Sequence, residues 1–305
     1  MTAVRVKSSR LAKFRRRLFS KMGIANILWK LLRTVLIFGL CFVILYPFFA
    51  AFIDTFMSVP DLYNMHISYV PREFTMEHFH RIINGMDYMR VVMYTALYCG
   101  LIALVQMVMS ASIAYGFARF KFPGHRILFA LVMLVLLIPP QTMMLSLFAR
   151  FRFFLGFANL INTPYPMIIL AFSGLGIMNG LYIFMYRQYF RNLPIELEEA
   201  AYIDGCGVFK TFFRIIVPSS VTIMVTVFIL SFAWQWTDRI YTGILSGGID
   251  LIANRVAQEY EWNRPVINNM LHNSSALLAI LPLAVFYFFA QNLFMQGIER
   301  SGITG

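Results

Sequence analysis

From Val35 to Ile53 the chain is apolar and uncharged, interrupted only by Pro47. A helix needs about 20 such residues to cross the hydrocarbon of a bilayer. Val91–Tyr115, Ile127–Phe148, Pro166–Met185, Ile215–Trp236 and Ala276–Met295 repeat the pattern, and none of these stretches contains Asp, Glu, Lys or Arg. In lipid every backbone N–H and C=O must be satisfied within the protein, which a helix does internally. The expected fold class is therefore an all-α membrane protein with six transmembrane helices.

Composition agrees. Hydrophobic residues make up 59% of the chain and charged ones 13%, against about 25% charged in soluble domains. A net charge of +12 in a soluble chain would point to nucleic acid. Here it reads as topology, because Lys and Arg accumulate in cytoplasmic loops. Arg119 and Lys121 follow the second stretch, and Arg187 and Arg191 follow the fourth. The segments around Asp54, Asp61, Arg72 and Glu73, and around Asp238, Arg239, Asp250, Arg255 and Glu259, carry mixed charge and read as outer loops. Both termini are then cytoplasmic, in a multi-pass protein of the cell membrane.

Residues 1–32 form a basic tail with no acidic residue, residues 33–297 the six-span domain, and residues 298–305 a second cytoplasmic tail. Leu11, Phe14, Leu18 and Met22 would let the first tail lie as an amphipathic helix on the inner leaflet; the alternative is a solvated tail that sets orientation. Its basic stretch is too long for a cleavable signal, and none is expected. Cys41, Cys99 and Cys206 are far apart and form no disulfide framework. His66, His78 and His80 share one outer segment without a ligand pattern and read as solvated residues, so no metal site is expected. Trp234, Trp236 and Tyr241 read as an interfacial belt.

A charged, helix-prone interruption between spans lies within residues 190–218. Pro194 suits a first helical turn, and Glu196, Glu198 and Glu199 favour the positive end of the helix dipole. Leu197, Ala200 and Ala201 share a face by their spacing. Gly205 suits a left-handed closure. Phe209, Phe212, Phe213 and Ile216 then recur at helical spacing, with Lys210 and Arg214 on the other side.

Glu199-Ala200-Ala201, Gly205, Ile215 and Val217-Pro218, at this spacing, resemble the EAA motif of binding-protein-dependent ABC importer permeases. Val217 stands where leucine is usual. Ala114–Gly124 resembles a segment of the sugar-transporting branch, as do Ile138-Pro139-Pro140-Gln141 and Ile298–Gly302. The resemblance covers nearly all of the chain from Arg33 on. It is to the MalG-type permease subunit of carbohydrate importers, with the type I importer permease fold.

That resemblance implies that Glu198, Glu199, Ala200, Ala201, Asp204, Gly205, Phe209 and Pro218 couple to an ATPase. It implies a second permease subunit, two ATPase subunits and an extracytoplasmic solute-binding protein as partners. The outer loop between the last two spans would reach the binding protein through Gly247, Gly248 and Asp250, with the two glycines as a flexible hinge.

No phosphate-binding G-x-x-x-x-G-K-[ST] loop occurs, so ATP and Mg belong to the partner ATPases and this chain is expected to have no cofactor and no enzymatic activity. The uncharged spans argue against an ion-coupled carrier, the alternative class, because such carriers use intramembrane ionisable groups. They also favour a neutral oligosaccharide over a polyamine. Polar residues do occur within spans: Gln106, Ser110, Ser112, Gln141, Asn179, Gln235, Gln291 and Asn292. These either line a path, with Gln141, Asn179 and Gln235 as candidates, or hydrogen-bond between helices at about 0.6 kcal/mol each.

Overall fold

The computed structural model describes residues 21–64, 70–256, 258 and 263–301. The amphipathic helix expected around Leu11, Phe14 and Leu18 lies outside them, as do His66, Glu259, Glu261 and Gly302. Among the described residues the structure is helical, with two isolated backbone bridges, Met57 to Phe74 and Phe154 to Ala158.

The chain divides into two units, Met1–Thr75 and Met76–Gly305. In the first, α1 runs from Lys21 to Asp54 through Pro47 and the short α2 covers Val59–Leu62. The connection onward is tied down locally. The Asp61 carboxylate accepts from the Arg72 and Glu73 amides at 2.8 and 3.2 Å, and Phe56 stacks on Phe74 with ring centroids 4.9 Å apart.

In the second unit, α3 (Glu77–Met86) precedes α4 (Tyr88–Arg119). His78, expected to be solvated, is buried with Ile82 and Met86, because i, i+4, i+8 spacing puts all three on the inner face of α3. Next come α5 (His125–Leu137), α6 (Pro140–Arg152), α7 (Tyr165–Phe172) and α8 (Asn179–Asn192). They are followed by α9 (Glu196–Ile203), α10 (Val208–Ser219), α11 (Val221–Thr237), α12 (Ile240–Leu245), α13 (Ile252–Val256) and α14 (Pro265–Ser301).

The long helix α4 is the centre of this unit and packs against α7, α8 and α11; α11 also packs on α14. Two apolar clusters are strung along α4. One gathers Tyr98, Cys99, Ile102, Met167, Phe232 and Trp236, the other Tyr115, Tyr182, Tyr186, Phe190, Phe212 and Ile223. Trp236, expected in the interfacial belt, belongs to the first cluster. It is buried because its indole N–H donates to the Ala279 carbonyl at 3.0 Å, which satisfies its one polar atom.

Among the described residues, three helices are individually long and apolar enough to cross a membrane: Leu28–Asp54, Tyr88–Arg119 and Pro265–Leu293. The other expected spans are broken. Between α5 and α6 the axis turns by 102°, because Pro139 and Pro140 remove two consecutive donors and force Ile138 into an extended conformation. The expected span Ile215–Trp236 begins later, at Val221, after an 80° bend behind Pro218. There Phe212–Ile216 widens into a π-helix, and the Ser219 and Ser220 hydroxyls donate to the Ile215 and Ile216 carbonyls at 2.7 and 2.6 Å. Those bonds satisfy carbonyls that the broken ladder would leave bare. The expected span Pro166–Met185 is two helices, α7 and α8, separated by Ser173–Met178. Counting each bent pair as one span gives up to five candidates.

Candidate coupling surface and solute path

Helix α9 is fixed from one side only. The Arg119 Nε lies 2.6 Å from Glu198 Oε1, and the Tyr115 hydroxyl donates to Glu198 Oε2 at 2.9 Å. Arg119 also donates from Nη2 to the Leu193 carbonyl at 2.9 Å, which holds the chain just before α9. The Tyr115 ring is walled by Phe120, Phe190 and Phe212. Glu198 and Ala201 are thus buried, at 4% and 3% exposure.

The opposite face is open. Glu199, Ala200 and Asp204 are exposed, and Ile203 and Phe209 stand out at 86% and 81% exposure. Two large apolar side chains thus stand exposed beside the charged residues Glu199 and Asp204. Gly205 closes α9 at φ +77°, with the Cys206 amide bonded back to the Ala201 carbonyl at 2.9 Å and the Gly205 amide to Tyr202 at 3.0 Å. Pro218 is exposed, at the end of α10 and away from α9 in sequence. Leu197, Ala200 and Ala201, grouped on one face by spacing, divide between outside and inside, because only Ala201 meets the core.

Sequence reasoning placed Glu198 among the coupling residues but missed Arg119 and Tyr115 as its partners. The available signal was a cation and a phenol at the end of an otherwise apolar helix, facing a loop with three glutamates.

In the outer loop, Gly247 and Gly248 are packed rather than free. The Gly248 amide donates to Asn162 Oδ1 at 2.9 Å, and a Cβ at 248 would fall 2.9 Å from the Asn162 side chain. The glycine is needed for this close approach rather than for a hinge. Asp250 pairs with Arg255 at 2.7 Å, and Asn254 Nδ2 bridges the Ser246 and Ile249 carbonyls at 2.9 and 3.0 Å. These bonds tie residues 246–255 to one another and to Asn162.

Between the two apolar clusters lies a polar layer. Gln106 Nε2 donates to the Ile177 carbonyl at 2.9 Å and to Asn179 Oδ1. Gln106 Oε1 accepts from Ser231 Oγ at 2.5 Å and Gln235 Nε2 at 3.2 Å, and Asn179 Nδ2 donates to Ser110 Oγ at 3.0 Å. The network sits on the break between α7 and α8, where Met178 adopts φ +58°. Of the path candidates, Asn179 and Gln235 are buried in this network, and Gln141 is exposed at the first turn of α6.

Beside the break is a cavity of about 320 Å³ lined by Leu175–Gly180, Trp234, Asp238, Arg239 and Tyr241 among others. Asp238 caps α12, accepting from the Thr242 amide and hydroxyl at 2.7 Å each. Irregular backbone at membrane depth is tolerated where it is buried in protein or lines a cavity, and discontinuous helices are a recurring element of transporter binding sites.

A helical bundle with broken spans, a cavity at one break and a charged helix fixed to the core on one face is the arrangement expected of a transport permease. The chain belongs to the family of binding-protein-dependent transport system inner membrane components, whose model matches residues 106–300. It is a transport component of the membrane rather than an enzyme. It is 25% identical over 280 residues to the arabinooligosaccharides transport system permease protein AraQ of Bacillus subtilis, covering 91% of this chain and 96% of that one. It is 24% identical over 286 residues to the sn-glycerol-3-phosphate transport system permease protein UgpE of Escherichia coli, covering 88% and 95%. Its fold matches a chain of a bacterial ABC transporter that imports the acidic polysaccharide alginate, with TM-score 0.71 and 17% identity over 90% of this chain and 99% of that one.

Proposed function

We propose that the chain is one of two permease subunits of an ATP-driven importer that passes a saccharide inward from an extracytoplasmic binding protein. The observation that carries the coupling role is the one-sided anchoring of α9, with Glu198 and Ala201 fixed to the core and Ile203 and Phe209 presented outward. Two ATPase subunits, carrying the ATP and Mg, dock on that surface and on its counterpart in the second permease. Closure of the ATPase pair moves α9, and Arg119 and Tyr115 carry the movement into α4. This is a population shift between inward- and outward-open states, driven only by the difference in ATP affinity between them.

The chain crosses the membrane six times with both termini in the cytoplasm, the crossing through α7 and α8 being one of the broken ones. Cysteines near Asp61 and Arg255 are then labelled from outside, and those near Lys121 and Tyr202 are not. Labelling of position 202 in intact cells refutes this topology.

A saccharide fits the uncharged spans and the aromatic lining of the cavity, and the name of the AraQ relative agrees. A second reading, an anionic solute, has its own support. Arg239 lines the cavity, and the UgpE and alginate systems are named for anionic cargo. The ion-coupled carrier falls with the family assignment. The deciding experiment reconstitutes the full complex and measures ATPase stimulation by binding protein loaded with neutral glycans, uronic-acid glycans, glycerol phosphate or polyamines. Stimulation by neutral glycans is expected. Stimulation by anionic cargo alone selects the second reading, and by polyamines alone refutes both.

A further inference from the structure

Where α4 ends and α5 begins, a cavity of about 810 Å³ is lined by Arg119, Lys121, Arg126, Arg187 and Arg191. Arg119 is matched by Glu198. Among the described residues, Lys121, Arg126, Arg187 and Arg191 have no carboxylate within ion-pair distance. Arg187 is aimed by two neighbours: its Nε donates to the Phe117 carbonyl at 3.3 Å and its guanidinium lies 4.1 Å from the centre of the Phe129 ring. Arg187 and Arg191 are one helical turn apart on α8, a spacing at which like charges repel. Lys121, Arg126 and Arg191 are exposed. Among the described residues, the cavity is a concentration of positive charge in which only Arg119 has a carboxylate partner.

Phe117 also lines a second, apolar groove of about 270 Å³, formed with Leu128, Leu131, Val132 and Val135 of α5 and with Leu175. A basic pocket and an apolar groove thus lie on either side of Phe117, the residue they share. A free phosphate or an acidic peptide would use the first and leave the second bare. A phospholipid uses both, the headgroup among the cations and an acyl chain along α5.

We propose that this site binds an anionic glycerophospholipid of the cytoplasmic leaflet. The leaflet rests on the proposed topology; the lipid chemistry does not. Basic residues near a membrane surface each contribute about 1 kcal/mol toward anionic lipid, and the apolar groove selects a lipid over a soluble anion.

The test uses the full-length chain, extracted with its partner subunits in mild detergent, and counts retained lipids by native mass spectrometry after exchange into nanodiscs of phosphatidylcholine with phosphatidylglycerol. Phosphatidylglycerol is expected to be retained over phosphatidylcholine. The triple variant Lys121→Gln, Arg126→Gln, Arg191→Gln retains it roughly a hundredfold less, and the charge-conserving Lys121→Arg, Arg126→Lys, Arg191→Lys restores retention. Equal retention by wild type and the Gln variant overturns the proposal. Displacement by millimolar inorganic phosphate overturns it in favour of a soluble anion. Loss of a partner subunit from the Gln variant, with lipid retention unchanged, makes the cavity a subunit interface and also overturns it. Labelling of Lys121→Cys from outside overturns the assignment to the cytoplasmic leaflet.

Discussion

Arg119 and Glu198 form an ion pair 2.6 Å long that joins the end of α4 to the first turns of α9, with both side chains nearly closed to solvent. Removing one member of a buried pair leaves a charge without compensation and costs about 3–5 kcal/mol, whereas removing both costs less. Arg119→Ala and Glu198→Ala are therefore expected to lower the melting temperature of the complex and uncouple ATP hydrolysis from transport. The double variant should be milder than the sum of the two. Additive effects in the double-mutant cycle would show that the pair does no joint work.

At Gly205 the backbone sits at φ +77° and a Cβ would meet nothing within 4 Å. The difficulty for a side chain is thus conformational rather than steric crowding. A left-handed conformation costs ordinary residues about 1–2 kcal/mol, and asparagine less. Gly205→Val is expected to reach the membrane but lose the ATPase on co-purification, and Gly205→Asn to keep most of it. Loss in both alike would point to a packing role instead.

The loop tip offers a test of its packing. Gly248→Ala sets a Cβ against the Asn162 side chain and displaces a 2.9 Å hydrogen bond, a loss of about 1 kcal/mol for the bond alone. Transport should fall while ATPase co-purification holds, and deletion of residues 247–250 should do the same more strongly. In an Asn162→Ala background the Gly248→Ala change should be nearly silent. If it is as harmful there as in wild type, Asn162 is not what holds the loop.

Gln106 serves four partners, Ile177, Asn179, Ser231 and Gln235. With each bond worth about 0.6 kcal/mol inside a membrane, Gln106→Leu should cost about 2 kcal/mol. The expected signs are a lower melting temperature in detergent and slowed transport with normal binding of the ATPase. Unchanged stability would mean that the break between α7 and α8 holds without it.

Local features of the sequence determined that this is a helical membrane protein, that a helix closed by glycine follows Pro194, and that Pro139 and Pro140 break a span. Each rests on residues within a few positions of one another, where apolar run length, dihedral preference and missing donors act directly. The tertiary structure alone decided the rest. Glu198 and Glu199 are adjacent and chemically alike, yet one is buried and one exposed, because Tyr115 lies 83 residues before Glu198 and reaches only that carboxylate. No proline marks the break at Ser173–Met178. Gly174 turns there at φ +76°, and Gln106, more than seventy positions earlier, supplies a donor to the Ile177 carbonyl. Gly247 and Gly248 read as a hinge in the sequence and are a close contact in the fold, since only the arrival of Asn162 makes the missing side chain a requirement. Periodicity gives each helix its apolar face; which polar group on that face finds a partner is a matter of distance in space.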